Sequence, residues 1–293
     1  MSTHKLSNII IEPLVRMALA EDLGRAGDIT SDSVIPADAK AKVVMASRAE
    51  GVIAGLDMAE LAFKLVDPSL TVKRFKDDGA EVKPGDEVME IEGSARSILT
   101  AERVALNFVG RMSGIATLTR KMVKAVGNHK AKICSTRKTT PGLRSIEKYA
   151  VKVGGGANHR LGLDDAVLIK DNHIAIAGGV TVALRRAKES IGHMVKIEIE
   201  VDTLEQLKEV LEEGADVVML DNMSLEDMAT AVKMVEKSGA GTARGRSIIE
   251  ASGGVTLDRI PKIAATGVDM ISTGALTHSA PNFDVGLDFK AAA

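Results

Sequence analysis

The chain of 293 residues has one cysteine, Cys134, no tryptophan, one tyrosine and five phenylalanines. A single thiol can form neither an intrachain disulfide nor a thiolate cage for a metal, and it fits a reducing compartment. So few rings supply no stacking platform for single-stranded nucleic acid. A planar ligand would have to be held by charge and hydrogen bonds. The formal net charge of -2 gives no electrostatic reason to expect nucleic acid or a membrane surface as partner. No stretch approaches the ~20 consecutive apolar residues of a membrane span. Glu12, Arg16, Glu21 and Asp22 break up the apolar positions near the N-terminus, unlike the core of a signal peptide. Together these absences predict a cytoplasmic globular protein with no nucleic acid and no membrane partner.

What is present falls into two textures. Between Lys40 and Leu99 run short alternating segments, AKVVMASRAEGVIAG and LTVKRFKDDGAEVKPGDEVMEIEG. Period-2 patterning bounded by Gly, Pro and Asp predicts antiparallel strands. Helices are expected over 9–20 and 58–65. From Thr100 to Val126 the pattern predicts one long helix or two, opened by Thr100. Asp77 and Asp78, ahead of Gly79, read as a turn.

From Ala131 the pattern changes to short apolar runs alternating with amphipathic helices. The runs are AKICS, AVLIK, VKIEIE, DVVML, SIIEAS and VDMIST. Buried apolar strands separated by helices mark a parallel sheet, either open or closed into a barrel. Polar residues favour the barrel, because they stand at the carboxyl end of every run. Arg137 and Lys138 follow the first run, Lys170 the second and Glu200 the third. Asp221 and Asn222 follow the fourth, Ser252, Gly253 and Gly254 the fifth, and Ser272, Thr273 and Gly274 the sixth. A barrel builds its site from many strand ends, whereas an open sheet uses one switch point.

Three groups of residues carry chemistry. Arg137, Lys138, Arg144, His159, Arg160 and Lys170 concentrate positive charge beside Gly-rich or strand-end backbone. Such a cluster repels itself unless an anion binds, and arginine forks suit carboxylates and phosphates. A solvated basic surface is the bland alternative. Glu200 and Asp221 each end an apolar strand, where a bare carboxylate is costly unless paired or bound to a cation. They suit Mg²⁺, ribose hydroxyls or developing positive charge, or simply salt bridges to nearby lysines. Glu198 shares the strand face of Glu200 by period 2, and the pattern does not separate the two. The small residues of EASGGV and ISTGALTHS would let backbone N–H groups approach a phosphate.

The segments EDLGRAGDIT, TAERVALNFVGRMSGIAT, STRKTTPGLR, GGGANHRLGLDDAVLIKDNHI, IEIEVD, VMLDNM and ISTGALTHS resemble the quinolinate phosphoribosyltransferase family from about Glu12 to Phe289. The resemblance implies an incomplete parallel α/β barrel with an N-terminal α/β sandwich domain. The sandwich would span 1–126, the barrel 127–276, and 277–293 would return to the sandwich. It implies that quinolinate meets Arg137, His159, Arg160 and Lys170, with Thr136 also in the substrate site. Lys138 would lie between the quinolinate and phosphoribosyl sites. Glu200 and Asp221 would serve ribose and Mg²⁺, directly or through water. Ser252, Gly253 and Gly254, with Ser272, Thr273 and Gly274, would hold phosphate. The catalytic set would be Lys138, Lys170, Glu200 and Asp221. It further implies a homodimer in which Arg103 of TAER completes the site of the other chain.

Three other readings stay open on the residues. One is a paralogue with this architecture, associated with molybdenum transport operons. Another is a barrel lyase using Lys170 as a Schiff base. The third is a phosphate-sugar binding protein, which would need neither Glu200 nor Asp221.

Overall fold

The computed structural model describes residues 5–239, 241–242 and 245–289. The ends of the expected sandwich domain, 1–4 and 290–293, lie outside the described residues. The chain forms two compact units.

The first unit comprises 1–120, 139–155 and 276–293. Its antiparallel sheet has four strands, in the order Val285–Phe289, Lys40–Ser47, Glu87–Ser94, Thr71–Arg74. The alternation seen in the sequence puts Val43, Met45, Met89 and Ile91 fully out of solvent. Helix Leu56–Val66 contributes the buried Leu56, Met58, Ala59, Ala62 and Phe63 to the core. Asp78 does stand in a turn, and it also accepts from the backbone N–H groups of Gly55 and Leu56 and from the Tyr149 hydroxyl. It thereby satisfies orphan donors at the start of that helix.

Helix Ala95–Val126 is continuous and begins five residues before Thr100, the expected opening. The true start lies at Ser94, whose hydroxyl accepts from the Ser97 N–H, so the sheet strand runs straight into the helix. Gly114 interrupts an otherwise good helical sequence for a packing reason. A Cβ there would fall 2.1 Å from the Pro281 carbonyl oxygen. A short helix, Ile29–Val34, was not legible in the pattern. Asp28 caps it, accepting from the Ser31 N–H at 2.9 Å.

The second unit comprises 121–138 and 156–275. It holds all six expected parallel strands: Lys132–Cys134, Val167–Ile169, Ile197–Val201, Val217–Asp221, Ile248–Ser252 and Met270–Ser272. We number them first to sixth. The sheet order is first, sixth, fifth, fourth, third, second, all parallel. From the second strand on, neighbours in sequence are neighbours in space, and the last strand comes round to the first. This is the winding of a barrel left open between its first and second strands, as expected. The open edge of the first strand carries one parallel bridge, Cys134 to Ala157. There Ser135 N–H donates to Ala157 and Ala157 N–H donates to Ile133.

Helices follow the strands as the pattern predicts. Thr203 and Gln206 form a reciprocal cap for Leu204–Glu213, which closes at Gly214. Ser224 caps Leu225–Ser238, which closes at Gly239 in the left-handed conformation. The segment TLDRIPKIAATG is helical only over Ile260–Ala265, with Pro261 in its first turn, where a missing N–H costs nothing. Among the described residues, no helix is long and apolar enough to cross a membrane.

Candidate active site

The carboxyl ends of the six strands gather most of the expected residues within the second unit. Two clusters arise on one face of the third strand. Its sequence IEIEV alternates, so Glu198 and Glu200 point the same way while Ile197, Ile199 and Val201 pack behind. Both carboxylates are buried, at 7% and 8% exposure. Their partners differ.

Glu200 lies toward the mouth. Its Oε2 accepts from Lys170 Nζ at 2.6 Å. Oxygens of Glu200, Asp202 and Asp221 lie within 4.8 Å of one another. Asp202 was missed in the sequence because an acid just past a strand reads as an ordinary turn residue. Asn222 donates through Nδ2 to Asp221 Oδ2 at 2.7 Å, and its N–H donates to the Ser252 carbonyl, tying the fourth strand end to the fifth. Asn222 is the one described non-glycine residue with positive φ, 52°. Gly253, at φ 86°, packs so closely that a Cβ would fall 2.1 Å from Asn222 Oδ1.

Glu198 lies deeper. Its Oε2 is 2.6 Å from His159 Nε2, and Glu250 Oε1 is 3.9 Å from the same nitrogen. Glu250, at 3% exposure on the fifth strand, is a second residue that sequence reasoning missed. The signal was a charged residue inside the apolar run SIIEAS, which also fits a strand with one wet face. Burial pushes the Glu250 carboxyl up to about 7, and the neighbouring Glu198 adds to the shift. His159 and the Ser272 hydroxyl offset part of it. Burial lowers the affinity of the Arg160 guanidinium for its proton, and repulsion from Arg137 acts in the same direction. Glu198 and Asp165 oppose both. Arg160 also donates to the Ala166 carbonyl at 3.0 Å.

The remaining expected residues are placed as follows. Thr136 and Arg137 are half-buried, and Lys138 is exposed, its N–H donating to Thr136 Oγ1. Ser272 and Thr273 are buried, and the Thr273 N–H donates to the Cys134 carbonyl within the sheet. That N–H is therefore committed to structure, whereas Gly253 and Gly254 stand at a strand end with left-handed backbones. His173 accepts from the Lys170 N–H through Nδ1, capping the helix Asp171–Ala177. Arg144 belongs to the first unit, where it opens the helix Arg144–Val153 and donates to Thr139. Arg103 is exposed on the helix Ala95–Val126, also in the first unit.

Comparison with known proteins identifies the family. Residues 28–113 match the N-terminal domain of quinolinate phosphoribosyl transferase, and residues 115–288 match its C-terminal domain. The chain is 45% identical to the chloroplastic nicotinate-nucleotide pyrophosphorylase [carboxylating] of Oryza sativa subsp. japonica, over 94% of this chain and 77% of that protein. It is 40% identical to the probable nicotinate-nucleotide pyrophosphorylase [carboxylating] of Bacillus subtilis (strain 168), over 97% and 94%. The solved nicotinate-nucleotide pyrophosphorylase from Francisella tularensis superposes with a TM-score of 0.91 at 39% identity, covering 99% of each chain. The chain belongs to the quinolinate phosphoribosyltransferase family.

Proposed function

We propose that residues of the second unit carry out the family reaction in this chain. The chain transfers the phosphoribosyl group of phosphoribosyl pyrophosphate to quinolinate with loss of CO₂, giving nicotinate mononucleotide and pyrophosphate in de novo NAD biosynthesis. It is a phosphoribosyltransferase of the pentosyltransferase class. One observation carries the assignment of residues. Fixed cations and buried acids stand together at the carboxyl ends of parallel strands.

The chemistry needs both signs of charge. Quinolinate brings two carboxylates, and Thr136, Arg137, His159, Arg160 and Lys170 would receive them. Lys138, exposed beside Thr136, would stand between quinolinate and the leaving pyrophosphate. Departure of pyrophosphate leaves an oxocarbenium-like ribose, which Glu200 and Asp221 would stabilise. The ring nitrogen bonds to the anomeric carbon as pyrophosphate leaves. The resulting pyridinium accepts the electron pair of the breaking C–CO₂ bond, and the ring carbon then takes a proton. No protein nucleophile is needed, so positioning and charge supply the rate. Gly253 and Gly254 would cradle phosphate.

Glu200, Asp202 and Asp221 supply hard oxygen donors suited to Mg²⁺, which would lower the charge on the pyrophosphate. Lys170 already pairs with one Glu200 oxygen, so Asp221 and Asp202 offer the more open side of this group. The same ion pair disfavours a Schiff-base lyase, which needs an uncharged amine. A homodimer sharing Arg103 is supported by apolar surface on the first unit, where Ile9, Met17, Ile29 and Val34 are exposed. Cytoplasmic location is supported by the single cysteine, Cys134, and its burial.

The test incubates the purified protein with quinolinate, phosphoribosyl pyrophosphate and Mg²⁺, following nicotinate mononucleotide and CO₂. Nicotinate should not replace quinolinate, because it lacks the second carboxylate. Borohydride trapping of substrate on Lys170 would overturn the assignment. Mixing Arg103→Ala with Lys138→Ala chains should restore part of the activity that each lacks alone. No recovery in proven mixed dimers would refute sharing of Arg103.

A further inference from the structure

We infer that Glu198 is a positioning residue of the quinolinate site: it orients the His159 ring toward the anionic pyridine acid. The inference rests on reading His159 as a quinolinate contact.

The geometry leaves Glu198 few alternatives. It lies two residues before Glu200 on the same strand face, hence about 6.6 Å deeper in the barrel. At 7% exposure it is shielded from water, and a bare carboxylate there would be strongly unfavourable. Its Oε2 meets His159 Nε2 at 2.6 Å. A charged imidazole turns that contact into an ion pair, and the ring must face Glu198 to make it.

The groups around the ring come from several strands. Glu198 reaches it from the third strand and Glu250 from the fifth, with Arg160 on its own segment and Arg137 after the first strand. The two guanidiniums oppose a positive ring, and the two acids favour it. Two carboxylates this close in the interior do not both ionise readily. Glu250 is the member that keeps its proton toward neutral pH. The acids are also unequal in reach: Glu198 meets the ring at 2.6 Å, whereas Glu250 stands 3.9 Å away.

That inequality gives the experiment. Glu198→Gln, Glu250→Gln and His159→Ala are compared as full-length enzymes, measuring kcat and both KM values from about pH 6 to about pH 8. Glu198→Gln should raise the quinolinate KM roughly ten- to hundredfold. The KM for phosphoribosyl pyrophosphate should not move. Glu250→Gln should keep the quinolinate KM within about threefold. A Glu198→Gln enzyme with the wild-type quinolinate KM, or with an equal rise in both KM values, overturns the inference. Unchanged quinolinate KM in His159→Ala removes the reading beneath it as well. A loss in His159→Ala with none in Glu198→Gln defeats the inference alone. Because Glu198→Gln could unfold, ¹⁵N-histidine NMR on the wild-type protein is the second arm. The His159 Nε2 should show the signature of a hydrogen bond, and a ring with none at that nitrogen refutes the idea.

Discussion

Glu198 and Glu200 stand on one face of one strand, two residues apart, and do different work. Glu200 is at the mouth, tied to the half-exposed Lys170 and grouped with Asp202 and Asp221. Glu198 is in the interior, against His159 and beside Glu250. Exposure does not separate them, at 7% and 8%; their partners do. An acid grouped with an exposed lysine and two further acids can meet substrate or metal, whereas an acid enclosed against His159 can only position its neighbour. A period-2 pattern says that two residues share a face, but it does not say what each will meet there.

The largest effect expected from this contrast is on turnover. Glu200→Gln should lower kcat by roughly a hundredfold or more, with the quinolinate KM little changed, as steady-state kinetics would show. A change confined to KM would break the distinction between rim and interior. Gly253→Ala should follow, because its Cβ would displace the Asn222 amide that bonds Asp221. A loss in kcat/KM of about tenfold is expected, and wild-type kinetics would show that the Asn222 contact is dispensable.

Gly114→Ala is the control in the other unit. Alanine is the better helix former, yet its methyl would meet the Pro281 carbonyl, so urea denaturation should show a loss of about 2 kcal/mol. Both KM values should stay as they are.

The smallest effect sharpens the interior half. The folded state holds the Glu250 proton up to about pH 7, above the ordinary carboxylate value of 4.5. The stabilising proton is fully present below 4.5 and is lost as pH rises through 7. Glu250→Gln should therefore raise stability relative to wild type at about pH 8, by on the order of 1 kcal/mol, and give no gain at about pH 5. Equal Tm differences at both pH values would contradict the assignment of the proton.

Much of this architecture was readable in advance, and the reasons are physical. Most of the six parallel strands appear as short apolar runs whose ends show where polarity returns, although IEIEV and IIEAS carry acids within them. That is why Lys170, Glu200 and Asp221 could be selected by position. Glu250 and the role of Glu198 were hidden, because a charge inside a strand looks the same whether its face is wet or enclosed. Asp202 was hidden by its resemblance to a turn residue. The helix Ala95–Val126 was begun too late because Thr100 looked like a cap. The cap in use is Ser94, the last residue of a strand.

The unclosed side of the barrel has one more consequence. A full ladder resists prising because many bonds must fail together. Among the described residues, the segment leading to His159 meets the first strand at a single bridge, through two backbone bonds at Ala157 and a side-chain bond from Ser135 to Asn158. Fewer backbone bonds would have to part here than between the stitched strands opposite, so this seam is where widening of the ring would cost least.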